Sequence, residues 1–402
     1  MSDIRVDRYD ENVSGTSGTI AIADIEDTTR AFLRITGSSR QDSAGPNGST
    51  SHASPDTAGV RLRITGTDEV TYYKALASEV KVMFEVWTYT GRAGGPYEFI
   101  SRQRGSVDLG TATTGVASVS GLSNRNDCVP FYNGFQSGES NNSSFNQCVA
   151  SCHLNSASEV VFERGEGGSS LECSYDVVEF SGSGWSVGTA RSSNHDTGND
   201  AFSAGDIVTM NTDSDGASGS TFDVTNWSTA MIVQGTMEGD PSEAGISDTM
   251  MYFLPGPSST QLHCALDNSN SRNLGVAYAY VLQCDDMVVT RDTASGLPEG
   301  NSSYGTNLTA PAGHSYSAPL SSIALEWFPG SSGEGTAHSR GALHATLTDT
   351  GSAHEVRHWI HRSGNVVKAA FGLADFSLLG SPAFKRRRLN GSLVNSSRIR
   401  HV

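Results

Sequence analysis

Residues 353–362 read AHEVRHWIHR, and within them His354, Glu355 and His358 fit the H-E-x-x-H pattern of zinc proteases. The pattern works only on a helix, where histidines four residues apart lie one turn apart and reach a single metal. On a strand the same residues share a face but stand about 13 Å apart, at roughly 3.3 Å per residue. Bonds of about 2.1 Å to one zinc cannot span that gap. The conformation of this stretch therefore decides between a metallopeptidase and something else, and the rest of the chain supplies the answer.

The chain has 402 residues, room for several domains. Its 44 glycines, its runs of Ser, Thr, Asn and Asp, and a charged content of only 17% favour turns over helix interiors. Short apolar runs separated by such loops read as an all-β protein. No stretch approaches the roughly 18–20 apolar residues of a membrane span, so no membrane insertion is expected. The opening MSDIRVDRYD has no apolar signal segment, which points to assembly in a cytoplasm. Sequons such as that at Asn226 then read as a by-product of an Asn- and Ser-rich composition.

The formal net charge is −16. Residues 383–402 carry Lys385, Arg386, Arg387, Arg388, Arg398 and Arg400 and no acid, so residues 1–382 carry −22, that is −16 less the +6 of the tail. An acidic body repels nucleic acid, so none is expected as a partner. The six cysteines, Cys128, Cys148, Cys152, Cys173, Cys264 and Cys284, form no C-x-x-C and read as free thiols. Disulfides within residues 128–173 stay open for a particle that sits outside a cell.

One pattern recurs four times. Gly18 is followed at offsets of seven and fourteen by Ile25 and Phe32, Gly115 by Leu122 and Val129, and Gly313 by Leu320 and Trp327. After Gly219, Trp227 comes one residue late and Val233 stands at the second offset. The glycines are 97, 104 and 94 residues apart, and each copy closes on an apolar run: VKVMFEVWTY (80–89), YDVVEF (175–180), GVAYAYVL (275–282) and VVKAAFGLADF (366–376). Four tandem units are predicted, at 1–95, 96–182, 183–290 and 291–380, followed by a basic arm at 381–402. Within a unit, runs such as TIAIADI, RAFLRIT, GVRLRIT and EVTYY alternate as half-buried strands do. Each unit is expected to be a small antiparallel β-sandwich, jelly-roll or Ig-like, with long loops. A helix is allowed at residues 72–80, and residues 38–59 read as a surface loop.

In this frame HEVRHW is the fourth copy of a strand that elsewhere reads DEVTYY, SEVVFE and TQLHCA. The zinc reading falls, leaving at most a loose metal site from His358 and His361. Gly184-Trp185-Ser186-Val187-Gly188 fits the nucleophile elbow G-x-S-x-G, with His195-Asp196 nearby, but the elbow needs a following helix and TARSSNHDTGND has no helical period. Asn211-Thr212-Asp213-Ser214-Asp215-Gly216 resembles the front of a calcium loop, yet its twelfth position is Phe222 in place of the bidentate Glu. It reads as an Asx-rich turn, with a weak calcium site as the alternative. Trp87, Trp185, Trp227, Trp327 and Trp359 read as core or inter-unit filler, and exposed ones could stack on sugars. No catalytic residue, cofactor or metal is expected.

A string of acidic, loop-rich β-sandwich units with a basic tail resembles the structural proteins of tailed bacteriophages. The resemblance covers the whole chain through its Gly-x6-Leu/Ile units and implies a non-enzymatic protein of the virion. It implies an outer-surface position, as a tail or fibre component for host adsorption, with a head decoration protein as the nearest variant. The implied partners are further copies of the chain, other virion proteins and a host-surface glycan. A cell-surface carbohydrate-binding adhesin is the alternative from another class, and a polysaccharide-degrading enzyme the third. The expected assembly arm is the tail cations Lys385, Arg386, Arg387, Arg388, Arg398 and Arg400.

Overall fold

A computed structural model describes residues 3–40, 55–140, 144–148, 150–156, 158–192, 206–210, 222–237, 251–266 and 276–295, and beyond them five strands within residues 302–375. The chain is all-β. In the first unit β1 (Ile4–Val13), β2 (Ser17–Ala21), β3 (Ala31–Arg40), β4 (Arg61–Ile64), β5 (Glu69–Tyr73) and β6 (Val80–Tyr89) pair antiparallel in the orders β1-β6-β3 and β2-β5-β4. The second unit repeats this with β7 (Ile100–Gly110), β8 (Thr114–Ser118), β9 (Cys128–Ser137), β10 (Ser151–Ser156), β11 (Glu159–Glu163) and β12 (Leu171–Glu179), ordered β7-β12-β9 and β8-β11-β10, and a single β4–β9 pair joins β2-β5-β4 and β9-β12-β7 into one six-stranded sheet. The third uses β13 (Ser186–Ser192), β14 (Asp206–Thr209), β15 (Ala230–Met237), β16 (Met251–Pro255), β17 (Gln261–Leu266) and β18 (Ala277–Gln283), ordered β13-β18-β15 and β14-β17-β16. The fourth uses β19 (Val288–Ser295), β20 (Ser302–Thr309), β21 (Ser321–Ala324), β22 (Leu343–Asp349), β23 (Ala353–Ile360) and β24 (Lys368–Asp375), ordered β19-β24-β21 and β20-β23-β22.

First strand beside sixth and second beside fifth is the winding of a jelly roll, here with six strands in place of eight. It is not the Ig order. The two sheets of a unit share one core. In the first unit Val13, Leu33, Val82, Phe84 and Val86 of one sheet meet Ile20, Leu62, Ile64, Val70 and Tyr72 of the other. The second and third units have matching cores.

The third strand of each of the first three units is introduced in the same way. Asp27, Asn124 and Asn226 cap 3-10 turns at Thr28–Arg30, Arg125–Asp127 and Trp227–Thr229, each side chain accepting from the N–H two residues on. The next residues, Ala31, Cys128 and Ala230, open the strand opposite Thr88, Glu179 and Gln283.

This spacing corrects the glycine alignment. Gly18 and Gly115 are the second residues of β2 and β8, but Gly219 and Gly313 fall after β14 and β20 have ended. The third-unit counterpart of Phe32 and Val129 is Met231, not Val233, and the fourth is Ser322, opposite Ala374. Trp327 lies outside the described residues. Loop length before the turn varies freely, whereas the turn-to-strand spacing is fixed by hydrogen-bond geometry. The predicted division at 290–291 also falls inside β19. No helix forms over 72–80, because β5 runs to Tyr73 and β6 begins at Val80. The end of the predicted 38–59 loop is not a surface excursion: Pro55–Ala58 is a short helical turn with Asp56 buried.

A separate cluster lies outside all of these cores, between the units. Ile4, Val6, Phe32, Trp87, Phe131, Val178, Phe180, Met231, Tyr280 and Leu282 come from the far faces of the three sheets that hold the first, sixth and third strands. Phe99, Trp185, Cys284, Met287 and Val289 join them from the connections between units and the strand that follows. Phe32 stacks on Phe131 at 4.4 Å and meets Phe99 edge-on at 5.0 Å, while Phe180 meets Trp185 edge-on at 5.4 Å. These sheets are here called inner, the others outer, and the cluster the hub.

Cys128, Cys148, Cys152, Cys173 and Cys284 are all buried free thiols. Burial pushes each of them up, to about 12 at Cys148, Cys173 and Cys284. Since the thiolate is the reactive form, native protein at about pH 8 should react with a thiol reagent at no more than one cysteine, Cys264, and unfolded protein at all six.

Candidate functional site

The residues singled out for chemistry that are described lie on strands. His354, Glu355 and His358 lie on β23, the middle strand of its sheet. His354 is opposite Leu308 and Asp349, and His358 is opposite Tyr304 and Ala345. The pattern is therefore carried by a strand, and the two histidines stand about 13 Å apart along it. Ser186 opens β13 opposite Gln283, directly after the buried Trp185, so the G-x-S-x-G string leads into a strand with no helix behind it. His195, Asp196, His361, Asn211–Gly216 and the tail cations lie outside the described residues. Among the described residues, no group of three or more His, Cys, Asp and Glu side chains could hold a metal ion. No helix there is long and apolar enough to cross a membrane.

Polar side chains converge instead where units meet. The fourth strand of one unit lies on the inner sheet of the next: β4 on β9 and β12, and β10 on β15 and β18. The 3-10 turns do the same, since Thr28–Arg30 touches β7, Arg125–Asp127 touches β13 and Trp227–Thr229 touches β19. Finally β22 lies on β3 and β6, so the fourth unit returns to the first. The fourth-strand contact thus recurs at three junctions, whereas the third unit meets the fourth through Trp227–Thr229 and β15 on β19 and through β15 on β21, and the four units close into a ring.

Between the first two units β4 and β9 touch backbone to backbone at Arg61 and Gly134, and Phe135 N–H donates to Val60 O at 3.1 Å. Gly134 has φ +86°, and a Cβ there would stand 2.1 Å from Val60 O. Arg61 donates to Glu172 at 2.6 Å and to Gln136 at 3.2 Å, with its guanidinium 4.1 Å from the Tyr73 ring centre. Deeper in, Asp176 accepts from Leu33 N–H at 3.1 Å, from Asn133 Nδ2 at 3.2 Å and from Arg104 Nε at 2.8 Å. Arg104 also donates to Thr28 O at 2.8 Å and Ala31 O at 2.7 Å. Burial raises the Asp176 carboxyl above its ordinary range, and Arg104 only partly offsets this.

Between the second and third units the Thr236 hydroxyl stands in for a missing strand neighbour. It accepts from Cys152 N–H at 2.9 Å and donates to Cys152 O at 3.2 Å. His153 stacks on Tyr278 with ring centres 4.0 Å apart. Across the hub, Arg34 Nε donates to Val233 O at 2.9 Å. Its guanidinium lies 3.5 Å from Glu85, which also accepts from Trp87 Nε1 at 2.9 Å. Desolvation lowers the Arg34 pKa against the attraction of Glu85.

Chemically these groups act as cross-links, because the carboxylates and guanidiniums are fixed to one another or to backbone across unit boundaries. The sequence reading missed them. A signal was present: Glu85 in VMFEVW and Asp176 in YDVVEF are acids at matching positions of closing runs that are otherwise mostly apolar. Such a charge must find a partner, but only the assembled units show which. No protein-family model matches the chain, and no curated protein matches it significantly.

Gly134→Ala should lower stability by about 2–4 kcal/mol in urea unfolding, since it adds a clash with backbone to a left-handed conformation. Gly94→Ala, with φ +70° and open space around its Cβ position, should lose only about 1–2 kcal/mol. Asp176 gives a pH signature. Its folded pKa lies above the unfolded value of about 3.9, so its contribution is fully present below that value and is lost as pH rises through the folded pKa. Unfolding wild type and Asp176→Asn side by side should therefore show the difference moving in favour of wild type as pH falls from about 7 to about 4.

Proposed function

We propose that this is a non-enzymatic structural protein on the outer surface of a phage virion, a tail or fibre component that takes part in host adsorption. The observation that carries the reading is the closed ring of units, in which a fourth strand lies on the next inner sheet at three junctions and buried charges tie the first two units together. Such a body suits a load-bearing part exposed outside a cell. Closing a ring covers strand edges that would otherwise pair with other chains, and the acidic surface keeps the particle soluble. The tail cations Lys385, Arg386, Arg387, Arg388, Arg398 and Arg400 then form an arm that ties the body to an acidic neighbour, an attraction weakened by salt. Gold-conjugated antibody against the purified protein should label the tails of particles from a producing culture and should block their adsorption. Labelling confined to cell envelopes, with adsorption untouched, would overturn the assignment.

A further inference from the structure

We propose that the seam between the fourth and first units is also an intermolecular interface, on which the fourth unit of a second copy of this chain takes the place of the chain's own. The interface is continuous with one already in use. The junctions 1–2, 2–3 and 3–4 are covalently bridged by residues 90–99, 180–185 and 284–287, whereas β22 reaches β3 and β6 with no bridge. Opening the seam breaks no bond, and the surfaces that opening frees match each other in a second copy as they do within one. The balance is set by the effective concentration that the three bridges impose, on the order of millimolar for short linkers. A crowded assembly reaches that range, and exchange then joins copies without any new surface.

Register locates the contact. Gly37 and Thr236 stand opposite Met83 and Tyr278, and Gly134 lies in the bulge of β9 at the corresponding level, between the pairs Tyr132–Tyr175 and Phe135–Cys173. Gly134 meets β4 of the preceding unit, and Thr236 bonds β10 of the preceding unit. By the same register β22 meets the first unit at Gly37. A large side chain at Gly37 obstructs the seam in either form, while Thr236→Val weakens a junction that stays covalently bridged.

Isotope-labelled and unlabelled full-length chains, mixed at high concentration after brief exposure to mild denaturant and then diluted, are read by native mass spectrometry. Mixed dimers in statistical proportion are expected. Gly37→Arg should reduce them about ten-fold or more, and Thr236→Val should leave them. A chain that stays monomeric throughout, or dimers untouched by Gly37→Arg, would refute the proposal. Hydrogen exchange on the wild-type dimer decides independently of how the variant folds. Residues 31–40 and 80–89 should stay as protected as in the monomer, and their exposure in the dimer would equally refute it.

Discussion

Each inner sheet is buried on both faces, and the rest of the structure depends on that constraint. One face closes the core of its own unit and the other closes the hub. In β6, Val80, Val82, Phe84 and Val86 belong to the core of the first unit, while Trp87 and Tyr89 belong to the hub. A strand in that position cannot alternate apolar with polar residues, which is why the closing runs are almost wholly apolar. The outer sheets have one wet face, and β2 and β8 alternate or stay largely exposed. A helix-period pattern has no place in either kind of strand.

A sheet in that position also creates a polar problem at its edge. The third strand of each of the first three units is an edge strand within its own inner sheet, yet neighbouring units cover it, so its outward N–H and C=O groups need partners in protein. Side chains supply some of them: Asp176 takes Leu33 N–H, Arg34 takes Val233 O and Arg104 takes Ala31 O. Where β9 meets β4, backbone bonds directly to backbone, and the contact is close enough to require glycine at position 134. An orphaned buried donor costs about 1–3 kcal/mol, so these bonds fix the angle between units as well as holding them.

The same arrangement places two of the strings that look catalytic on strands. The H-E-x-x-H residues sit in the centre of an outer sheet, where a strand keeps the two histidines far apart. The buried carboxylates and guanidiniums of the first two units hold one another in place.

Much of the fold was legible in the residues themselves. Apolar runs set among Gly, Ser, Asn and Asp loops announced strands, the recurrent closing run announced four units, and DEVTYY beside HEVRHW put the zinc pattern on a strand. These are local properties, fixed by side-chain period and turn chemistry within a few residues. The glycine alignment failed in the third and fourth units because loops change length without cost to the strands they join. The ring, the hub and the ties at Asp176, Arg61 and Thr236 were not legible. Each joins residues from different units, with separations such as 143 for Leu33 and Asp176 and 84 for Cys152 and Thr236. A sequence shows that Asp176 is a charge in an apolar run, but not which backbone N–H it must satisfy. Only packing one inner sheet against the next decides that, because the partner is created when both faces of the sheet leave water.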